Sequence, residues 1–355
     1  MRSAAHLKIS LFLAGVAALF LLFAYAPIVG ETPGVGRSPA RATIIFGGDM
    51  MFDRSIRMAI EQHGKTQGGL PAEASAQAGD FIFSCIDATL GGADLVVANL
   101  EGPITEHASV SASSTPGDEF NYTFTFPPST AELLYEHNVR MVNLGNNHIL
   151  NFGWEGARST TRYLQDAGVA YFGLPAGASE QAGGPFAQGI AEGTVRGIKL
   201  AFINYNEFSP AEYSNIPSTG ADTSSIGLQN VGMSSTTISQ IRQERARGYM
   251  PVVYTHWGVE YATTSSAYSR ELAHSFIDAG AEIVIGSHPH VVEENEVYKG
   301  KHIYYSLGNF IFDQYFNDDV RTGLLLAVTF NQNGVTAVKE IPIHLETDRR
   351  TCPVE

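Results

Sequence analysis

Ile283 to Gln314, IVIGSHPHVVEENEVYKGKHIYYSLGNFIFDQ, sets the reading of this chain. The short apolar run Ile283 to Ile285 ends in Gly286-Ser287, and His288 and His290 follow with one residue between them. A second apolar run, His302 to Leu307, ends in Gly308-Asn309. Both predict buried strands that run into polar, glycine-containing turns. Ligands of open α/β sheets sit at the carboxyl ends of strands. A His-x-His turn there brings two imidazoles together, as metal sites need.

The same pattern recurs upstream. Thr43 to Phe46 leads to Asp49, Leu95 to Ala98 to Asn99 and Glu101, Met141 to Leu144 to Asn147 and His148, and Pro251 to Tyr254 to His256. Five predicted strands thus end in a carboxylate, amide or imidazole. If they are parallel neighbours, these groups share one edge of a sheet. Taken singly, each has an ordinary explanation. Asp49 could cap a helix, Glu101 could pair with a surface arginine, Asn147 could supply a turn, and His256 and His288 could be hydrogen-bonded core residues. Jointly, chance accounts for them poorly. The mixture of imidazoles, two carboxylates and an amide suits Zn, Mn or Fe better than Ca or Mg. A carboxylate between two such ions could bridge them, and a pair of ions about 3.5–4 Å apart can activate water for hydrolysis.

Between the strands, composition predicts helices at Arg54–Gln62, Phe81–Leu90, Ser129–His137 with Ser129 as N-cap, Trp154–Ala167, Ser234–Arg247 and Tyr268–Ala279. Gly168 and Gly280 stop two of them. Ala170–Phe172 and Ile198–Tyr205 read as further strands. Leu324–Phe330 and Val335–Ile343 read as a hairpin, with Asn333-Gly334 at its turn. Glu106–Phe120 and Glu207–Gly232 are polar and irregular, and long loops of this kind are often functional. The expected organisation is an N-terminal segment (1–30), a Gly/Pro-rich linker (31–41), one domain (42–345) and a short tail (346–355).

Ile9 to Ile28 is apolar or small apart from Ser10 and Tyr25, with Arg2 and Lys8 before it and no acid among the first 30 residues. That length matches a transmembrane helix, and the positive flank predicts a cytoplasmic N-terminus with an extracytoplasmic domain. A cleaved signal peptide is the rival, since Ala24-Tyr25-Ala26 resembles a cleavage site, though Pro27 disfavours cutting there; cleavage would make the protein secreted. Apolar residues form 44% of the 355-residue chain, enough for a sizeable core. The formal charge of −14 argues against a nucleic-acid binder held by phosphate contacts. Beyond residue 30 the balance is 36 acids against 20 bases, or −16. Cys85 and Cys352 are expected to be a buried and a frayed thiol, because one widely spaced pair is no disulfide framework.

Five segments together resemble the CapA family of bacterial poly-γ-glutamate capsule biosynthesis proteins. They are GGDMMFDR (Gly47–Arg54), NLEGPIT (Asn99–Thr105), LGNNHILNFG (Leu144–Gly153), HWGVEY (His256–Tyr261) and the stretch from Gly286 to Gln314. That family in turn resembles the calcineurin-like metallophosphatases. The resemblance implies an α/β fold, a metallophosphatase-like two-sheet sandwich flanked by helices and preceded by one N-terminal transmembrane helix. It implies one or two divalent metal ions (Mn, Zn or Fe) held by Asp49, Glu101, Asn147, His256, His288 and His290, with Glu101 bridging and the two histidines of the His-x-His turn reaching different metal positions. His148 is then the catalytic residue that acts on the leaving group. Asn99, Arg54, Glu260 and Asn309 are further site candidates. Two positions depart from the pattern: Met51 replaces a metal-binding histidine, and Asn151 stands where the capsule family commonly has Asp.

Three functions follow as expectations. The first is a membrane-anchored protein of capsule polymer biosynthesis, with the membrane, an anionic polymer such as poly-γ-glutamate and membrane polymer-synthesis proteins as partners, and no nucleic acid. The second, compatible with it, is an exported metal-dependent hydrolase of a phosphoester or amide. The third is a catalytically degenerate module that uses the old site only to bind polymer.

Overall fold

The strands on either side of the His288-Pro289-His290 turn are adjacent and parallel: Ile283–Ser287 pairs with Lys301–Tyr304. This computed structural model describes residues 40–66, 76–111, 122–174, 189–208 and 234–354, which belong to one compact unit. The apolar N-terminal segment, the linker up to residue 39 and most of the two polar loop regions lie outside the described residues. Among the described residues no helix is long and apolar enough to cross a membrane.

Among the described residues, fourteen strands form two mixed sheets. In chain order they are β1 (Ala42–Met50), β2 (Leu95–Leu100), β3 (Val139–Asn143), β4 (Ala170–Phe172), β5 (Ile190–Val195), β6 (Ile198–Asn206) and β7 (Met250–His256), then β8 (Ile283–Ser287), β9 (Asn295–Tyr298), β10 (Lys301–Tyr304), β11 (Asn309–Ile311), β12 (Thr322–Asn331), β13 (Gly334–Leu345) and β14 (Thr351–Pro353). The first sheet has the order β14-β13-β12-β1-β2-β3-β4, with β11 also on β1; the second has β5-β6-β7-β8-β10-β9. The parallel strands β1, β2, β3, β7 and β8 are covered on both faces, which is why they read as unbroken apolar runs.

The sheets pack face to face. Phe46, Val97, Phe172 and Leu326 of the first share one apolar core with Phe202, Val252, Tyr254 and Ile285 of the second. Rings meet across this layer, Phe172 against Phe202 and Tyr254 at centroid distances of 6.0 and 6.2 Å. Helices Arg54–Thr66, Ser129–Glu136 and Gly153–Ala167 border a second core on the outer face of the first sheet. Helices Ser234–Ala246 and Ala267–Ala279 cover the outer face of the second sheet through Ile241, Leu272 and Phe276. The helix stops at Gly168 and Gly280 are present, each in the left-handed region, and the β12–β13 hairpin turns at Asn331–Gly334.

Several expectations need correction. The five strand ends do not share one sheet: β1, β2 and β3 belong to the first and β7 and β8 to the second, so the candidate residues converge from both. The apolar run from His302 is not one strand. β10 ends at Tyr304, and the chain crosses to the other sheet through Gly308 (φ 65°), so that β11 joins β1. The helix predicted over Phe81–Leu90 is split into Asp80–Phe83 and Asp87–Gly91 around Cys85. Pro128, not Ser129, occupies the N-cap of the next helix, and it makes no side-chain cap bond. Cys352 is not frayed: it forms a disulfide with Cys85, and its segment, read as a tail, is strand β14 on β13.

Candidate metal centre

Asp49 lies in β1, Glu101 directly follows β2, and Asn147 and His148 lie in the turn after β3. From the facing sheet, His256 ends β7, and His288 and His290 follow β8. All are buried, Asp49, Glu101 and His256 completely. Two clusters of possible ligands result, Glu101–His256–His288 and Asp49–Glu101–His290, in each of which the donor atoms lie within 4.8 Å of one another. Glu101 belongs to both, and the two histidines of the His-x-His turn are divided between them.

The turn itself is under backbone constraint. His288 and His290 have φ of 100° and 61°, and nearby Arg54 and Tyr261 have 50° and 66°. Non-glycine residues hold such angles at a cost and concentrate at functional sites.

The donor chemistry fits a divalent cation. Among the described residues neither carboxylate oxygen of Glu101 has a hydrogen-bond donor. Burial, reinforced by the neighbouring Asp49 charge, drives its pKa well above the usual carboxylate range. Burial drives His256 and His288 the other way, well below the ordinary histidine value, with neighbouring histidines adding to it. Ser287 donates its hydroxyl to the Thr255 carbonyl (2.9 Å) and so accepts from His256 Nδ1 (3.0 Å). His256 Nε2 therefore presents a lone pair, and it faces Asn147 Oδ1 at 2.8 Å and His288 Nδ1 at 3.2 Å. Asn147 Nδ2 has no partner among the described residues. A cation would resolve the facing of His256 Nε2 and Asn147 Oδ1; without one, half a turn of the Asn147 amide would supply a donor instead.

Met51 does not complete the second cluster. Its sulfur accepts the Asp53 N–H at 3.0 Å and its side chain belongs to the apolar core. Among the described residues the His290 cluster thus has two carboxylates and one imidazole.

His148 stands beside both clusters, its Nε2 3.8 Å from Glu101 Oε1. Its Nδ1 meets Asn151 Oδ1 at 3.0 Å, and the same oxygen accepts the Phe124 N–H at 2.8 Å. Burial pushes the His148 pKa down to about 3. Arg54 is buried nearby, ion-paired with Asp313, its guanidinium 4.9 Å from the Phe124 ring centre and 5.6 Å from that of Phe312. Asp313 also accepts from the Ser55 N–H and hydroxyl at 3.1 and 3.0 Å. Glu260 is half-buried, and its charge adds to that of Asp49 in raising Glu101. Asn99 and Asn309 support ligands: Asn99 donates to Asp49 Oδ1 (2.8 Å), and Asn309 Oδ1 lies 2.9 Å from His290 Nδ1.

Sequence reasoning missed the amides that hold these groups. Asn143 and Asn146 both donate to Asn99 Oδ1, at 3.0 and 3.1 Å, and Asn204, from the other sheet, donates to Asn143 Oδ1 at 3.0 Å. The available signal was the repetition of asparagine at strand ends, which extends to Asn204 and Asn206 in the last residues of β6.

Fold and site together define an α/β protein with a buried imidazole–carboxylate centre between the rims of two mixed sheets. Residues 43–314 match the family described as bacterial capsule synthesis protein PGA_cap, and the chain belongs to that family. Its relatives include the capsule biosynthesis protein CapA of Bacillus anthracis, 26% identical over 87% of this chain and 69% of that protein. The PGA biosynthesis protein CapA of Bacillus subtilis is 27% identical over 84% of this chain and 70% of its own length. Among solved structures, a phosphatase from Mycoplasma pneumoniae aligns at 13% identity and a TM-score of 0.47, covering 86% of this chain and 95% of that one. A 5'-nucleotidase precursor from Thermus thermophilus aligns at 14% and 0.43, over 88% of this chain and 54% of that one.

Proposed function

We propose that this protein is anchored in the membrane by its apolar N-terminal segment and acts outside it in biosynthesis of a poly-γ-glutamate-type capsule polymer, as a divalent-metal-dependent hydrolase of an amide or phosphoester. Family membership and the capsule proteins among its relatives support the biological setting. The observation that carries the chemistry is Glu101, a fully buried carboxylate with no hydrogen-bond donor among the described residues, common to two clusters of ligand side chains.

In this reading Asp49, Glu101, Asn147, His256, His288 and His290 hold one or two ions. A bound divalent ion supplies positive charge that polarises a carbonyl or phosphoryl oxygen and lowers the pKa of water. It also offsets locally the negative charge that would repel a polyanionic polymer. The protein's own groups do the rest. Asn99 and the His288 N–H fix the Asp49 carboxylate, at 2.8 and 3.1 Å. Asn151 accepts from His148 Nδ1, which turns Nε2 toward Glu101. His148 is neutral in the free protein, takes up a proton when anionic substrate lies beside it, and delivers that proton from Nε2 to the leaving group.

The test is the metal content of the purified full chain, with turnover of a model phosphodiester and of poly-γ-glutamate. Bound Mn, Zn or Fe, with turnover lost in His148→Ala and His256→Ala, is the expected result. No metal and no turnover in the unmodified protein sinks the hydrolase. A binding-only module is the second reading, favoured by Met51, whose sulfur is committed to the Asp53 N–H where an imidazole ligand would stand.

A further inference from the structure

The segment Leu307–Gln314, LGNFIFDQ, supplies none of the clustered ligands, yet it enters the site. At Gly308 the chain leaves the second sheet, and β11 then lies beside β1 with Asn309 in register with Asp49. Asn309 is completely buried.

Its amide can face only one way. Nδ2 is surrounded by three acceptors: the Val320 carbonyl at 2.9 Å, Gln314 Oε1 at 3.0 Å and the His290 carbonyl at 3.3 Å. Two of these are backbone carbonyls, which never donate, so the nitrogen must occupy this position. Oδ1 then faces His290 Nδ1 at 2.9 Å, and since Oδ1 only accepts, His290 Nδ1 must carry the proton. The lone pair is left on Nε2, which lies 3.7 Å from Glu101 Oε1. A competitor for that proton stands close by, because Asp49 Oδ2 is 3.4 Å from the same Nδ1.

We infer that Asn309 is the positioning residue of the His290 half of the centre: it draws the Nδ1 proton away from Asp49, leaving His290 Nε2 and the Asp49 carboxylate both available to a cation. This rests on the metal-site reading of the clusters only for its consequence; the proton's location stands by itself. Gln314 extends the frame outward, donating to the Tyr261 hydroxyl at 3.1 Å. The Phe312 ring, 4.7 Å from that of His290, fills one side of the imidazole. Partners of this kind, beyond the ligands themselves, typically contribute about 10–100-fold to metal affinity.

The experiment combines nitrogen NMR of labelled histidine in the metal-free full chain with titration by Mn²⁺ or Zn²⁺. The His290 signals are assigned by their loss in His290→Asn. The unmodified chain is expected to show the Nδ1–H tautomer. Asn309→Leu is expected to lower affinity for the ion at the His290 cluster about 10–100-fold while the Glu101–His256–His288 cluster still binds. An Nε2–H tautomer in the unmodified chain overturns the assignment even if Asn309→Leu does not fold. Undiminished affinity in a folded Asn309→Leu also overturns it, and leaves the hydrolase reading intact. An Nδ1–H tautomer in a chain that binds no metal upholds the proton placement and defeats the hydrolase reading instead.

Discussion

The side-chain amide of Asn99 bridges Asp49 and Asn143, donating to the carboxylate at 2.8 Å and accepting from Asn143 Nδ2 at 3.0 Å. Through Asn143 and Asn204 this bond continues into the facing sheet, so the first carboxylate of the site is held by a chain of amides spanning both sheets. Asn99→Leu removes a donor from a buried carboxylate and an acceptor from two amides. It is expected to cost about 1–3 kcal/mol of stability in urea unfolding. Asn99→Asp is expected to be worse at pH 7 than at pH 4.5, because it sets a second carboxylate against Asp49 and like charges so close cannot both ionise readily. Equal losses at the two pH values would show that Asp49 is not what Asn99 serves.

The Cys85–Cys352 disulfide closes a loop of 267 residues and ties β14 to the turn between two short helices. Beside it, Thr351 donates its hydroxyl to the Phe310 carbonyl at 2.7 Å, which couples the C-terminal strand to the residue next to Asn309. Cys352→Ser should lower stability by about 2–5 kcal/mol, in line with loss of a cross-link over a long loop. Denaturant unfolding with and without reductant checks this: reductant should destabilise the unmodified chain and leave Cys352→Ser unchanged.

What could be read from the residues followed from local physics. β1, β2, β3, β7 and β8 showed as apolar runs because both their faces are covered, and Asn333-Gly334, Gly168 and Gly280 mark turns that need left-handed or compact backbone. The candidate ligands were legible because each follows such a run. Which sheet a run joins was not, because β3 and β7 have the same pattern and only distant packing separates them. The crossing at Gly308 was hidden by apolar residues on both sides of it. The disulfide was hidden by chain distance, since proximity of residues 267 apart is a property of the finished fold. The supporting amides were hidden because asparagine in a turn usually means only a turn.

Metal binding and pH should be linked through Glu101 and the two histidines. Glu101 has a raised pKa when folded, so metal-free stability falls as pH rises above the unfolded value near 4.5. His256 and His288 have lowered pKa values when folded, so stability also falls as pH drops below about 6.5 and the unfolded chain takes up protons. A cation needs all three deprotonated, and its stabilising effect should therefore grow from pH 5 to pH 8. Glu101→Gln should make the metal-free chain about 1–3 kcal/mol more stable at pH 8 and abolish the gain on adding Mn²⁺ or Zn²⁺. Melting temperatures at several pH values, with metal and with chelator, measure both effects; a Glu101→Gln chain still stabilised by metal would remove Glu101 from the ligand set.

Asn151 offers the most direct control of His148. Its Oδ1 accepts from His148 Nδ1 at 3.0 Å and from the Phe124 N–H at 2.8 Å, and aspartate in the same place could accept both. Burial holds His148 down at about 3, and a carboxylate at Nδ1 opposes that by stabilising the imidazolium. Asn151→Asp should raise the His148 pKa by about 1–3 units. If His148 protonates the leaving group, the alkaline limb of the kcat profile, which reports the substrate complex where His148 carries its proton, should move up, with the ligands left in place. Histidine NMR titration of the metal-free chain reads the pKa separately from the rate. A raised pKa with an unmoved alkaline limb would mean that the proton reaching the leaving group comes from somewhere other than His148.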